Sequence, residues 1–135
     1  MQIGDGPILL GEDQEDDAVL FTISMKKAGV SNPIIILGEG EHIIQYLRGT
    51  GVYKDRSRYP QPSIVFLDGQ LHHQPSMGLL KWIKDHPEVS DVPIFVLTGS
   101  LDRKVCEQAK VLGALECFEK PFSVSDWRRI QKMPG

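Results

Sequence analysis

The stretch IVFL at residues 64–67 runs directly into Asp68, so an uninterrupted apolar segment ends in a carboxylate. Short runs rich in Ile and Val, without alternation, are typical of strands that are covered on both faces, as in parallel sheets. Comparable runs are ILLG at 8–11, IIIL at 34–37 and IFVL at 94–97, and the shorter run CFE lies at 117–119. The sequence therefore predicts five strands of a parallel sheet.

The segments between these runs have the apolar spacing of amphipathic helices. We expect helices at residues 15–28, 41–48, 78–86, 102–112 and 124–132. The alternation of strands and helices implies right-handed crossovers and a doubly wound α/β fold. The flavodoxin-like strand order 2-1-3-4-5 is taken from known members of this architecture. Because the chain has 135 residues and no linker-like segment, we expect a single domain over residues 1–135.

Composition excludes several classes of function. The net charge of −3 comes with no basic stripe, which argues against direct binding of nucleic acid. No apolar run approaches the length of a membrane span, and the first residues lack the features of a secretory signal. Cys106 and Cys117 form no CxxC motif and are interpreted as small, partly buried side chains in a reducing compartment. These observations predict a cytoplasmic protein.

Polar side chains follow four of the predicted strands. Glu12 and Asp13 follow the first strand, Asp68 the third, Thr98 the fourth and Lys120 the last. Because ligands of open α/β sheets bind beyond the carboxyl ends of the strands, these side chains are expected to meet at one rim. Neighbouring carboxylates repel each other unless a cation lies among them, and Mg²⁺ suits carboxylate and phosphate oxygens. The rim therefore predicts phosphoryl chemistry assisted by Mg²⁺.

Four motifs then carry a family resemblance. They are ILLGEDQEDD at 8–17, IVFLDGQL at 64–71, IFVLTGS at 94–100 and GALECFEKPF at 113–122. Together, in this order and at strand ends, they resemble the receiver domain of two-component response regulators, including chemotaxis-type and stand-alone receivers. The resemblance spans most of the chain. It implies a phosphorelay signalling module, a phosphoprotein whose cofactor is Mg²⁺, rather than a turnover enzyme.

The resemblance also assigns roles to the carboxylates. It implies that Asp68 is the phosphoacceptor and a metal ligand, that Asp13 binds Mg²⁺ directly, and that Glu12 acts through water or as a weaker ligand. The backbone carbonyl of Gln70 would complete the protein's share of the metal shell. Asp17 is interpreted differently, as one of the acidic residues that stabilise the start of a helix.

Further roles concern the response to phosphorylation. The resemblance implies that Thr98 is the switch hydroxyl and that Lys120, joined to Pro121 by a cis peptide, bridges the acceptor and the phosphoryl group. Family members usually carry an aromatic switch residue three positions before the lysine, where this chain has Cys117. His72 stands where the family usually has a proline, so the loop after Asp68 is expected to be differently shaped.

Three functions are consistent with these residues. The first is a switch phosphorylated on Asp68 by a sensor histidine kinase or phosphotransfer protein, which then changes its binding to a downstream protein. The second is a non-switching receiver that serves as an interaction scaffold, an alternative motivated by Cys117. A Mg²⁺-dependent phosphohydrolase is disfavoured, because it would need an acid at the position of Gln70. The sequence leaves the downstream partner and the oligomeric state open, a homodimer included.

Overall fold

Five parallel strands form the central sheet of the computed structural model, which describes residues 1–89 and 91–135. These strands are β1 (Ile8–Gly11), β2 (Ile34–Leu37), β3 (Ile64–Asp68), β4 (Ile94–Thr98) and β5 (Glu116–Glu119). Their order is β2-β1-β3-β4-β5, which confirms the predicted flavodoxin-like topology. Gly11 and Val96 both lie opposite Leu67, so the carboxyl ends of β1, β3 and β4 are level with each other.

Residues 1–89 and 91–135 contain five α-helices, of which four connect successive strands and one follows the last strand. They are α1 (Glu15–Lys27), α2 (Gly40–Arg48), α3 (Met77–Asp85), α4 (Arg103–Val111) and α5 (Val124–Lys132). Both ends of every helix lie within one residue of the predicted position, because the sequence carries clear signals for helix starts and ends. Gly49 follows α2 at φ +69° and Gly113 follows α4 at φ +108°, a region that glycine adopts without strain. Ser123 begins α5 with a capping box that Asp126 completes.

The sheet is covered on both faces, as its continuous apolar strands predict. Helices α1 and α5 cover one face, where Phe21, Phe66 and Phe122 pack with ring centroids 5.0–5.4 Å apart. Helices α2, α3 and α4 cover the other face. Val19 differs from the expected core stripe of α1, because its side chain is 50% exposed beside the edge strand β2. In the described residues, no helix is long and apolar enough to cross a membrane.

The long connection between α2 and β3 is held against the end of α2. It contains a short 3₁₀ turn, Gly51–Tyr53. The Tyr46 hydroxyl donates a hydrogen bond to the Pro60 carbonyl at 2.8 Å. Arg56 and Gln61 both donate to the Leu47 carbonyl, at 2.8 and 2.7 Å. These side chains satisfy a carbonyl that the end of a helix leaves without an intrahelical partner.

Candidate functional site at the carboxyl edge of the sheet

A cavity of about 880 Å³ opens at the carboxyl ends of β1, β3 and β4. It is lined by five of the residues that the sequence predicts for the site: Asp13, Asp68, Gln70, Thr98 and Lys120. Glu12 lies beside the cavity and reaches it through its contact with Lys120. Strand order and register thus bring together residues that are up to 108 positions apart in the chain.

Asp68 ends the buried strand β3 and is 6% exposed. Its Oδ1 accepts a hydrogen bond from the backbone N–H of Gln70 at 3.0 Å, and its Oδ2 accepts one from Lys120 Nζ at 2.8 Å. The Ser76 hydroxyl donates to the Asp68 carbonyl, and the Ser76 N–H donates to the Gly69 carbonyl at 2.8 Å. Ser76 therefore fixes the backbone on which the Asp68 carboxylate stands.

Lys120 is the cation that holds the acidic groups together. Its Nζ lies 2.7 Å from Asp17, 2.8 Å from Asp68 and 3.3 Å from Glu12. Burial alone would lower the pKa of the ammonium, but its hydrogen bonds with Asp17 and Asp68 outweigh burial and hold that pKa above its ordinary value. Lys120 is thus fully charged at neutral pH. Its backbone N–H donates to the Thr98 carbonyl at 2.7 Å, which ties it to β4.

Glu12 is a buried carboxylate whose surroundings raise its pKa. Burial is the largest cause, the interaction with Asp68 adds to it, and the Gln14 N–H and Lys120 oppose both. The net result is a pKa raised from 4.5 to about 7. Near neutral pH Glu12 therefore exchanges a proton, since its pKa lies close to the ambient value.

Carboxylate oxygens of Glu12, Asp17 and Asp68 lie within 4.8 Å of one another. Oxygen ligands at such spacing suit a hard divalent cation, so the donor set fits a metal. In this structure, however, the same three groups surround the Lys120 ammonium. Lys120 therefore neutralises the negative charge of this cluster. A bound metal ion would supply additional positive charge to the same carboxylates or displace the ammonium from some of them.

Asp13 stands apart from that cluster. Its Oδ2 accepts a hydrogen bond from the His72 backbone N–H at 3.0 Å, and the His72 ring nitrogen lies 3.7 Å away. His72 and His73 form the turn of a small antiparallel hairpin that pairs Gln70–Leu71 with Gln74–Pro75. Both histidines have positive φ, +52° and +64°, as a two-residue hairpin turn requires. The loop after Asp68 is thus a tight hairpin with His72 and His73 at its turn.

The two predicted switch positions lie in different surroundings. Thr98 lines the cavity, and its hydroxyl donates to the Ser100 carbonyl at 2.9 Å. Cys117 is 6% exposed and lies in the apolar core on the side of α4. Burial raises the pKa of its thiol to about 12, and the neighbouring Cys106 contributes to the rise. Cys117 therefore occupies the position of the aromatic switch residue as a neutral thiol without a ring.

Two residues of the site were missed by sequence reasoning. Asp17 was interpreted as a helix-start charge, yet it makes the shortest ion pair with Lys120, at 2.7 Å. A signal was present, because position 17 lies on the first turn of the helix that follows Glu12 and Asp13. Ser76 had no such signal, since its role depends on the hairpin that returns it to Asp68.

Comparison with known proteins places the chain in a family. Response regulator Rcp1 of Synechocystis sp. (strain ATCC 27184 / PCC 6803 / Kazusa) is 31% identical over 93 residues, which cover 69% of this chain and 61% of that protein. The matched region thus spans less than two thirds of the length of that curated relative. A search against models of protein families gives no match.

Solved structures of response regulators share the fold. The bacteriophytochrome response regulator AtBRR is 27% identical with a TM-score of 0.81, covering 93% of this chain and 89% of that chain. A response regulator receiver domain from Rhodospirillum rubrum is 27% identical with a TM-score of 0.71, covering 92% and 87%. The Mn(2+)-bound form of Rcp1 is 25% identical with a TM-score of 0.73, covering 95% and 90%.

The structural similarities cover 92–95% of the chain and therefore include the five-stranded sheet. The fold and the strand order agree with the expected doubly wound, flavodoxin-like architecture, and Asp68 lies beside Lys120 at the carboxyl edge of the sheet. The chain belongs to the receiver domain family of two-component response regulators.

Proposed function

We propose that the protein is a phosphoacceptor switch in which Asp68 receives a phosphoryl group from a histidine kinase or a phosphotransfer protein. One observation carries this proposal: the Asp68 carboxylate ends the central strand β3, faces the cavity and lies 2.8 Å from the Lys120 ammonium. In the donor, the phosphorus–nitrogen bond of a phosphohistidine breaks as an Asp68 oxygen forms a new bond to phosphorus. The donor imidazole leaves and takes up a proton.

The residues around Asp68 support this transfer by position and charge. Lys120 is held protonated, so it neutralises negative charge on the acceptor and on the incoming phosphoryl oxygens. The Gln70 N–H holds the other Asp68 oxygen at 3.0 Å and orients the carboxylate. Thr98 lines the same cavity, and rotation of its hydroxyl away from the Ser100 carbonyl would let it donate to a phosphoryl oxygen.

We assign the divalent metal site of this mechanism to Mg²⁺. Asp13 and Asp68 line one cavity, Glu12 adjoins it, and the Gln70 carbonyl lies in the same loop. These oxygen donors would hold the ion, with Asp17 close enough to contribute. When bound, Mg²⁺ neutralises charge on the transferring phosphoryl group. The proposal is supported by the similarity to Rcp1, which has been solved in a Mn(2+)-bound form.

Signalling would then follow from the added charge. A phosphoryl group brings about −1.5 to −2 charges, which would draw Thr98 inward and repack the surface formed by α4, β5 and α5. Such a surface would alter binding of a downstream protein or of a second copy of the chain. The module would act in the cytoplasm, with autophosphorylation and autodephosphorylation as its own chemistry rather than turnover of a metabolite.

A non-switching scaffold is the second candidate, and the burial of Cys117 favours it. At this position the core holds a thiol packed against α4, so a ring that could exchange positions with Thr98 is missing there. Phosphorylation would then leave the α4–β5–α5 surface unchanged. Partners would bind equally well before and after treatment with a phosphodonor.

The decisive experiment is incubation with acetyl phosphate and Mg²⁺, followed by intact-mass measurement and by amide hydrogen exchange. We expect one phosphoryl adduct on the wild-type protein, none on Asp68→Asn, and an unchanged adduct on Asp5→Asn, since Asp5 is exposed and lies outside the cavity lining. Altered exchange in α4 and β5 of the adduct supports the switch. An adduct on Asp68→Asn, or none on the wild type with Mg²⁺ bound, contradicts the proposal.

A further inference from the structure

Two cysteines lie where α4 packs against β5. Cys106 is on α4 and Cys117 is on β5, and Cys106 packs against the apolar cluster that contains Cys117. The helix comes close to the strand because small side chains separate them: Ala109 is fully buried and Ala114 is 4% exposed. The Cys106 side chain is in contact with the Cys117 thiol and influences its pKa.

The two thiols differ in their access to solvent. Cys117 is buried, whereas Cys106 is partly exposed. Burial holds the Cys117 pKa at about 12, so this thiol is protonated at neutral pH. Cys106 is therefore the thiol that a small oxidant can reach.

We propose that Cys106 and Cys117 are a redox modification site, in which a peroxide oxidises the pair to a disulfide that ties α4 to β5. This proposal is independent of the phosphoacceptor function. The Cys106 sulfur attacks a peroxide oxygen, the oxygen–oxygen bond breaks, the departing hydroxide takes up the thiol proton as water, and Cys106 becomes a sulfenic acid. The Cys117 sulfur then attacks the Cys106 sulfur, and its proton leaves with the hydroxyl group as water. In balance, two thiols and one hydrogen peroxide give one disulfide and two water molecules.

The disulfide between Cys106 and Cys117 would restrain the side of the cavity that α4 lines. Val105 and Gln108 of α4 line the cavity together with Asp68 and Thr98, and Cys106 directly follows Val105. Helix α4 contributes few buried side chains, with Ala109 fully buried, so its position depends on weak packing. A disulfide at Cys106 would replace that weak packing with a covalent link. The oxidised protein would therefore hold α4 in the position seen here.

The first test is oxidation of the purified wild-type chain with hydrogen peroxide, followed by intact-mass measurement and peptide mapping without reductant. We expect the loss of two hydrogen atoms, a crosslinked peptide containing Cys106 and Cys117, and full reversal by dithiothreitol. Cys106→Ser and Cys117→Ala should each prevent this loss. Cys106→Ser replaces a partly exposed side chain, so it keeps the test valid if the core variant folds poorly.

The second test is amide hydrogen exchange of α4 in the oxidised and reduced protein. The link predicts at least a several-fold slower exchange for residues 103–111 after oxidation and no change in Cys106→Ser. A disulfide between two chains, or sulfinic acid at Cys106 with no crosslinked peptide, would overturn the proposal. An intramolecular disulfide that leaves α4 exchange unchanged would overturn the claim that it restrains this helix.

Discussion

Replacement of Glu12 by glutamine tests the energetic cost of a buried carboxylate in this site. The pKa of Glu12 in the folded protein is about 7, against an ordinary value of 4.5. Between these two values the folded protein keeps a proton that the unfolded chain has released. The free energy of unfolding of the wild type must therefore fall as pH rises from about 4.5 to about 7, and the full penalty applies above pH 7.

The size of this penalty follows from the two pKa values. The difference between about 7 and 4.5, at about 1.36 kcal/mol for each pKa unit, corresponds to about 3 kcal/mol. Glutamine keeps the shape of Glu12, and the attraction of Lys120 at 3.3 Å is already included in the pKa of about 7. The amide replaces a protonated carboxyl group imperfectly in its hydrogen bonds, which offsets part of the gain. We expect Glu12→Gln to be more stable than the wild type by about 1–3 kcal/mol near pH 8 and by less than about 1 kcal/mol near pH 5.

Urea denaturation near pH 5 and pH 8, with a chelator present to remove divalent ions, measures both values. Glu15→Gln is the matched control, because Glu15 is an exposed carboxylate close to Glu12 in sequence, at the first position of α1. The control should change stability by less than about 0.5 kcal/mol at either pH. Equal stability of Glu12→Gln and the wild type near pH 8, or a gain that does not depend on pH, would refute the assignment of a raised pKa to Glu12.

Three further predictions concern stability measured by urea denaturation. Lys120→Met should lose about 3 kcal/mol near neutral pH, because three carboxylates lose their shared cation; an unchanged midpoint would show that the ion pairs add nothing. Ser123→Ala removes the hydroxyl of a capping box and should cost about 1 kcal/mol, and a neutral effect would contradict this capping role. Gly49→Ala should lower the free energy of unfolding by about 1–3 kcal/mol, because φ is +69° and the added methyl group meets the Arg56 side chain. The control Gly78→Ala adds its methyl group into open space and should not destabilise the protein. Equal effects of the two substitutions would argue against backbone strain at Gly49.

The fold could be predicted from the sequence because its signals are local. Continuous apolar runs marked every strand of the sheet, and glycines after α2 and α4 marked where those helices end. The strand order came from known members of the architecture, and the structure confirms it. Val19 was misplaced because apolar spacing cannot show that an edge strand leaves part of the α1 face uncovered.

The site was predictable where it depends on strand ends and unpredictable where it depends on side-chain direction. Asp68, Thr98 and Lys120 meet because parallel strands end at one edge. Asp17 meets Lys120 across 103 positions of sequence, and its direction is set by the packing of α1 on the sheet. The hairpin after Asp68 was hidden because histidines, rather than asparagine and glycine, occupy its turn at positive φ.

The negative charge of this site couples the binding of a proton, of a metal ion and of a phosphoryl group. Glu12, Asp17 and Asp68 surround the single ammonium of Lys120, and the high pKa of Glu12 means that a proton supplies part of the missing positive charge near neutral pH. A divalent ion among the same oxygens would supply that charge instead, and it would displace the proton. By reciprocity, metal affinity must then rise as pH increases through the pKa of Glu12. A phosphoryl group on Asp68 adds further negative charge, so it must raise the affinity of the site for a proton or a metal ion. In the proposed function, a proton on Glu12 would therefore compete with a divalent ion for the same carboxylate oxygens.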